Sequence, residues 1–128
     1  MVKRTFRNNG FTLIELLVTL AIIATLLSLA APRYFGGVER AKEAVLQENL
    51  ATLRDTLDKY FADSGRYPDT LDELVSKKYL RRIPVDPMTE RADTWSFVPP
   101  PAPSIGGIYD VHSGAPGNAR DGTPFANW

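Results

Sequence analysis

The sequence contains no cysteine, a single histidine and no excess charge of either sign. Without cysteine, the chain can form neither a disulfide framework nor a thiolate metal site. Its 15 basic residues match its 15 acidic ones, so it lacks the basic surplus that is typical of nucleic-acid-binding proteins. These absences exclude a disulfide-stapled fold and predict that nucleic acid is not a partner.

Residue combinations that carry out catalysis are also missing. His112 is the only histidine and stands alone at the end of a predicted strand. The glycines and prolines of residues 113–117 lack the fixed spacing and the following helix of a phosphate-binding loop. We therefore predict that the protein is not an enzyme and that His112 has a structural role.

What the sequence does have is an apolar run of 21 residues, 11–31, in which Glu15 is the only charge. A helix rises about 1.5 Å per residue, so this run spans roughly 30 Å, the thickness of a hydrocarbon core. Lys3, Arg4 and Arg7 precede it with no acidic residue among them. That asymmetry predicts a cytoplasmic N-terminus, with the rest of the chain across the membrane.

Two simple interpretations of this run leave Glu15 unexplained. A secretory signal peptide would fit the basic start and the small residues Ser28 and Ala30, but its apolar stretch is usually only about 7–15 residues long. A plain membrane anchor would explain the length alone. A carboxylate in a membrane helix costs up to about 3 kcal/mol and usually marks a function with a partner.

Residues 10–18, GFTLIELLV, resemble the processing motif of type IV pilins and type II secretion pseudopilins. The resemblance implies that a prepilin peptidase removes residues 1–10 by cutting after Gly10 and then methylates Phe11. It also implies that Glu15 pairs with the Phe11 amine of a neighbouring subunit and sets the register of a homopolymeric filament. The alternative is that the Glu15 carboxylate only reaches out to the lipid headgroups.

A strong amphipathic helix is predicted for residues 38–62, so that residues 32–62 continue the membrane helix of residues 11–31. Its apolar residues recur at three- and four-residue steps: Val38, Ala41, Val45, Leu46, Leu50, Leu53, Leu57, Tyr60 and Phe61. Polar residues that include Glu43, Arg54 and Asp58 take the other face. Pro32, Gly36 and Gly37 disfavour helix, which predicts either a segment that bends or unwinds on assembly or a small, tolerated kink.

Residues 63–128 are predicted to form a small α+β domain. A short helix at 71–77, capped by Asp69 or Thr70, is followed by strands at 94–98 and 107–112. The Gly- and Pro-rich tail that follows is expected to be pinned by Phe125 and Trp128. Four basic residues at the end of the short helix and just after it form either a solvated surface or a lateral contact with the next subunit: Lys77, Lys78, Arg81 and Arg82.

Three further stretches resemble the G-type major pseudopilin of type II secretion: GRYP at 65–68, YLRRIPVDP at 79–87 and YDVHSG at 109–114. The resemblance implies an α+β, pilin-like fold, in which a half membrane-spanning, half amphipathic helix packs on a small antiparallel sheet. It implies an inner-membrane subunit of a periplasmic filament that helps export folded proteins. Its partners would be minor pseudopilins and an inner-membrane assembly platform.

The runner-up function is a type IV pilin of a surface pilus, used in adhesion, motility or DNA uptake. Many such pilins have a larger sheet and a C-terminal disulfide loop, so the short predicted sheet and the absence of cysteine favour the pseudopilin. A membrane-tethered binding domain that never polymerises would leave Glu15 unexplained.

The same resemblance implies a calcium-binding loop after the last strand. An aspartate of that loop, within a Gly-Ala-Asp-Gly segment of the family, is replaced here by Pro116. Asp121 and Asp110 are the carboxylates that remain, whereas calcium generally takes about 6–8 oxygen ligands. We therefore predict no cofactor, and calcium at Asp121 and Asp110 is the alternative that the resemblance leaves open.

Overall fold

The computed structural model describes residues 9–128, so the predicted basic leader residues Lys3, Arg4 and Arg7 lie outside the described part. The elements in chain order are helix α1 (Leu13–Ser64), helix α2 (Leu71–Ser76), strand β1 (Ser96–Val98), strand β2 (Asp110–His112) and a 3-10 turn (Phe125–Asn127). The chain divides into two compact units, one that ends at Val38 and one that comprises Glu39–Trp128. The expected α+β fold class, a long N-terminal helix with a small antiparallel sheet, is confirmed.

The first unit contains the apolar half of α1, whose side chains are exposed along its whole length. By length and composition this is the one helix within residues 9–128 that could cross a membrane. The hydroxyls of Thr19, Thr25 and Ser28 each donate to the carbonyl four residues earlier, at 2.7–2.8 Å. These bonds satisfy the hydroxyls within the helix, as an apolar surrounding requires.

The predicted weak segment of α1 remains helical. Pro32 lies inside the helix, and Gly36 and Gly37 follow without a break. A Cβ at either glycine would meet no atom within 4 Å, so neither glycine is needed for close packing in this chain. Bending or unwinding of this segment in a filament stays a prediction.

The second half of α1 provides the core of the second unit. Leu46, Leu50, Leu53, Leu57 and Tyr60 are at most 2 % exposed, as the three- and four-residue spacing predicts. They pack against side chains from the rest of the unit, which include Leu71, Leu74, Trp95, Ile108, Val111 and Phe125.

The predicted apolar stripe is wrong at its edges. Ala41 is exposed and Val45 is 48 % exposed. The covering domain is small, so it buries only a narrow line of the helix surface. Phe61, at the other edge, stacks on Tyr67 with 4.5 Å between ring centroids and stays 36 % exposed.

Helix α2 begins and ends close to the predicted positions. The Thr70 hydroxyl accepts a hydrogen bond from the Glu73 amide at 3.4 Å, which makes Thr70 the N-cap. The helix ends at Ser76, and Lys77 is its C-cap. Leu71 and Leu74 are its buried residues.

The strands are shorter than predicted. β1 and β2 pair antiparallel, with Ser96 opposite His112 and Val98 opposite Asp110. The amides of Gly107 and Ile108 donate to the Pro68 carbonyl at 3.1 and 2.9 Å. Those two amides are therefore not available to β1, and the first amide that donates to β1 is that of Tyr109, just before β2, to the Val98 carbonyl at 2.8 Å.

The C-terminal tail packs onto the core, as the two aromatic residues predict. Phe125 is 7 % exposed and lies 5.6 Å from the half-buried Trp128, measured between ring centroids. Gly114 passes so close to the Thr94 carbonyl that a Cβ at this position would collide with it. The segment after β2 is therefore an ordered part of the domain.

Candidate functional site

The first turn of α1 carries the residues that are predicted to be processed and to direct assembly. Phe11, just before the helix, is 89 % exposed. The Glu15 amide donates to the Thr12 hydroxyl at 3.2 Å, and the Thr19 hydroxyl donates to the Glu15 carbonyl at 2.7 Å. Within residues 9–128, the exposed Glu15 carboxylate itself has no ion-pair or hydrogen-bond partner.

Phe11 and Glu15 lie on one side of this turn. Together with Ile14, Val18 and Thr19 they line a shallow groove. The groove is apolar apart from the carboxylate and the Thr19 hydroxyl, which is already satisfied. Burying this surface therefore requires a cation for Glu15, because an unpaired buried charge is strongly destabilising.

The two aspartates that could serve calcium are engaged within the domain. Asp110 Oδ1 accepts from Arg54 Nε and from the Val111 amide, both at 2.8 Å. Asp121 Oδ1 accepts from the Thr123 amide at 2.9 Å, and this bond is the largest of the effects that lower the pKa of Asp121. Each carboxylate thus has donors from its own chain.

One residue of the predicted basic surface, Lys77, contacts another side chain of the domain. Lys77 Nζ donates to the Tyr60 hydroxyl at 2.9 Å and lies 5.1 Å from the centre of that ring. This hydrogen bond is the main cause that raises the pKa of Lys77. Arg81 and Arg82 remain exposed. A lateral contact through them stays a prediction.

Comparison with known proteins identifies the family to which the chain belongs. A family profile described as "Prokaryotic N-terminal methylation motif" matches residues 5–31. The type II secretion system core protein G of Aeromonas hydrophila is 32% identical, over 100% of this chain and 96% of the relative. That of Klebsiella pneumoniae is 33% identical, over 94% of this chain and 91% of the relative. The chain belongs to the type II secretion system core protein G family. No solved structure gave a significant match.

As a core protein G, the chain is a pseudopilin, a structural and non-enzymatic subunit that assembles into a filament. The apolar helix near its N-terminus fits a place at the inner membrane and periplasm. His112, the lone histidine, makes a structural contact. It ends β2, and its Nδ1 contacts the Trp128 backbone oxygen.

The residues present in this core protein G do not fit the calcium site that the resemblance implies. Among the residues described, no three or more His, Cys, Asp or Glu side chains lie together where they could hold a metal ion. Asp110 and Asp121 belong to different hydrogen-bond arrangements, and Pro116 offers no side-chain oxygen. Calcium needs about 6–8 oxygens that converge on one point.

Several polar residues that hold the second unit together are not predicted by the sequence. Arg54 and Glu43 belong to the predicted polar face of α1, yet each contacts the C-terminal segment. Asp86, which is 0 % exposed, accepts from the buried Ser113 hydroxyl at 2.6 Å. The only available signal was position, because Arg54 stands one residue from Leu53 and so borders the buried line of the helix.

Proposed function

We propose that this core protein G is the major subunit of a periplasmic filament with which a type II secretion system helps to export folded proteins. The observation that carries the proposal is the Glu15 carboxylate. It is exposed in the apolar half of α1, has no partner within the described residues and lies beside Phe11.

The first step is processing. A prepilin peptidase cuts after Gly10 and methylates the new N-terminus at Phe11. Cleavage leaves a positively charged amine, and methylation keeps that charge. Residues 1–10 then act as a leader, and its Lys3, Arg4 and Arg7 hold this end of the chain in the cytoplasm.

The second step is assembly. When apolar helices pack side by side, the Glu15 carboxylate pairs with the Phe11 amine of a neighbouring subunit. Losing one member of a buried ion pair costs about 3–5 kcal/mol, whereas the intact pair contributes little net stability. Glu15 therefore acts mainly by rejecting every register in which it stays unpaired.

Before assembly the subunit crosses the inner membrane once through residues 11–31. Residues 32–62 continue that helix, which extends to Ser64, and residues 63–128 complete the periplasmic domain. An inner-membrane assembly platform and minor pseudopilins are the partners that start and cap the filament. A basic leader and a single apolar span support this orientation.

The test is Glu15→Ala in cells that carry the secretion genes, with filament yield after shearing, membrane level and N-terminal mass measured together. We expect normal insertion and processing but at least a hundredfold less filament, since about 3–5 kcal/mol per contact exceeds two factors of ten in affinity. Glu15→Gln, which keeps the shape but not the charge, should behave like Glu15→Ala.

Thr19→Ala is the matched control, because it removes a polar group from the same groove without touching the charge. It should assemble like the wild type. Normal filaments from fully processed Glu15→Ala protein would contradict the pairing role and leave Glu15 as a residue that only reaches the headgroups.

A further inference from the structure

Arg54 joins three separate parts of the second unit. From α1, its Nε donates to Asp110 Oδ1 at 2.8 Å and its Nη2 donates to the Val111 carbonyl at 2.9 Å. The same Nη2 donates to the Trp128 backbone oxygen at 2.8 Å. One guanidinium thus holds the helix, β2 and the end of the tail together.

The geometry suits arginine in particular. Its planar group carries several donors in fixed directions, and hydrogen bonds with an ionised partner are roughly twice as strong as neutral ones. The Trp128 oxygen is also contacted by His112 Nδ1, so the tail end is held from two sides. Arg54 is only partly exposed, with 39% of its side chain accessible.

The other acidic groups near the tail are also taken by donors of the chain. Glu43 Oε1 accepts from the Arg120 amide at 2.8 Å, and Asp121 Oδ1 accepts from the Thr123 amide at 2.9 Å. Between them the tail bonds to itself, with the Ala119 amide donating to the Thr123 carbonyl at 2.7 Å. The carboxylates of this region therefore face donors of the protein.

We propose that Arg54 is the fixed cation that closes the C-terminal segment, so that this subunit folds fully without the calcium that its family resemblance implies. A positive charge carried by a side chain is present in every subunit at any metal concentration. The closed tail is then a property of the chain alone.

The experiment uses the full chain, purified in a mild nonionic detergent, and follows trypsin cleavage after Arg120 by mass spectrometry. Arg120 is exposed in the middle of the tail, so the rate of its cleavage reports how often the tail opens. Wild type, Arg54→Gln and Arg54→Lys are each digested in EDTA and in millimolar calcium chloride. Lys59→Gln is the matched control, since it removes an exposed cation of the same helix that, within the described residues, pairs with Asp55 alone.

We expect wild-type cleavage to differ by less than about twofold between EDTA and calcium. Arg54→Gln should be cleaved at least about tenfold faster in both, because it loses hydrogen bonds to a charged partner. Arg54→Lys keeps the charge but loses the planar group with its several donors, so its cleavage rate should lie between those of wild type and Arg54→Gln. Lys59→Gln should be cleaved at the wild-type rate. Cleavage of Arg54→Gln after Arg120 at the wild-type rate would overturn the role of Arg54.

A clear slowing of wild-type cleavage by calcium would overturn the metal-independent closure, and this comparison needs no variant. If Arg54→Gln does not fold, Asp110→Asn provides the second variant. It weakens one Arg54 contact and leaves the two backbone contacts, so a moderate rise in cleavage is expected and an unchanged rate would contradict the proposal. Neither measurement requires filaments, so failure here is distinct from failure of the Glu15 pairing.

Discussion

Replacing Ser113 by alanine should destabilise the second unit far more than the loss of one hydroxyl suggests. Ser113 is 1 % exposed, and its hydroxyl donates to Asp86 Oδ2 at 2.6 Å while it accepts from the Ala115 amide at 3.1 Å. Asp86 is 0 % exposed, and its Oδ1 accepts from the Met88 amide at 2.8 Å. One small side chain therefore satisfies two buried polar groups at once.

Ser113→Ala leaves a carboxylate oxygen and a backbone amide buried without partners. An unsatisfied buried group costs about 1–3 kcal/mol, and a charged one more, so the free energy of unfolding should fall by about 3–5 kcal/mol. The double variant Asp86→Ala, Ser113→Ala no longer contains the orphaned carboxylate. The double variant should therefore lose less free energy of unfolding than the two single variants lose together, by about 1–3 kcal/mol.

The assay is urea unfolding of the full chain in nonionic detergent, followed by the fluorescence of its two tryptophans, Trp95, which is 5 % exposed in the core, and Trp128, which packs against it. Ser76→Ala is the control. Its exposed hydroxyl donates to the Glu73 carbonyl, and such surface changes usually stay within about 0.5 kcal/mol. A Ser113→Ala loss below about 1 kcal/mol, or strictly additive single losses, would refute the reasoning from unsatisfied buried groups.

Two further predictions concern the expected processing site and the C-terminal segment. Intact-mass measurement should give a polypeptide that begins at Phe11 with one added methyl group, and an uncut chain or one that begins at Ala31 would contradict cleavage after Gly10. In the C-terminal segment, the Thr123 amide, and after it the Thr123 hydroxyl, lowers the pKa of Asp121. A lowered pKa stabilises the fold above the unfolded value of about 3.9, and that contribution is lost as the pH falls through the folded value. Asp121→Asn should therefore be less stable than wild type at neutral pH and equal to it well below the folded pKa. Urea titrations at both pH values check this, and a gap that persists in acid would mean that packing, not charge, is responsible.

The long helix and the short helix could be predicted because each depends on neighbouring residues, such as the apolar periodicity and the Thr70 cap. Cleavage after Gly10 depends on a short linear stretch as well, and it stays a prediction. The start of the second strand was less accessible, since the Pro68 carbonyl takes the amides of Gly107 and Ile108, which the sequence assigns to that strand. Nothing in the sequence around those two residues marks that partner.

The hydrogen bonds of the C-terminal segment could not be predicted for the same reason. Arg54 contacts Asp110 and Trp128, which lie 56 and 74 positions further along the chain. Read locally, Arg54 sits among charged residues of an exposed helix face. The sequence shows that Pro116 replaces an expected calcium ligand. That the Arg54 guanidinium contacts this segment is shown only by the three-dimensional structure.

The inward hydroxyl bonds of Thr19, Thr25 and Ser28 affect how well the apolar half of α1 can distinguish a neighbouring subunit from lipid. Those hydroxyls offer no donor to an approaching helix, so lipid tails and neighbouring subunits meet nearly the same apolar surface. Exchanging one for the other yields little hydrophobic free energy, because lipid tails are as apolar as leucine. This apolar surface therefore gives little preference for a neighbouring subunit over lipid, which leaves the choice of register to polar groups, the role proposed for Glu15.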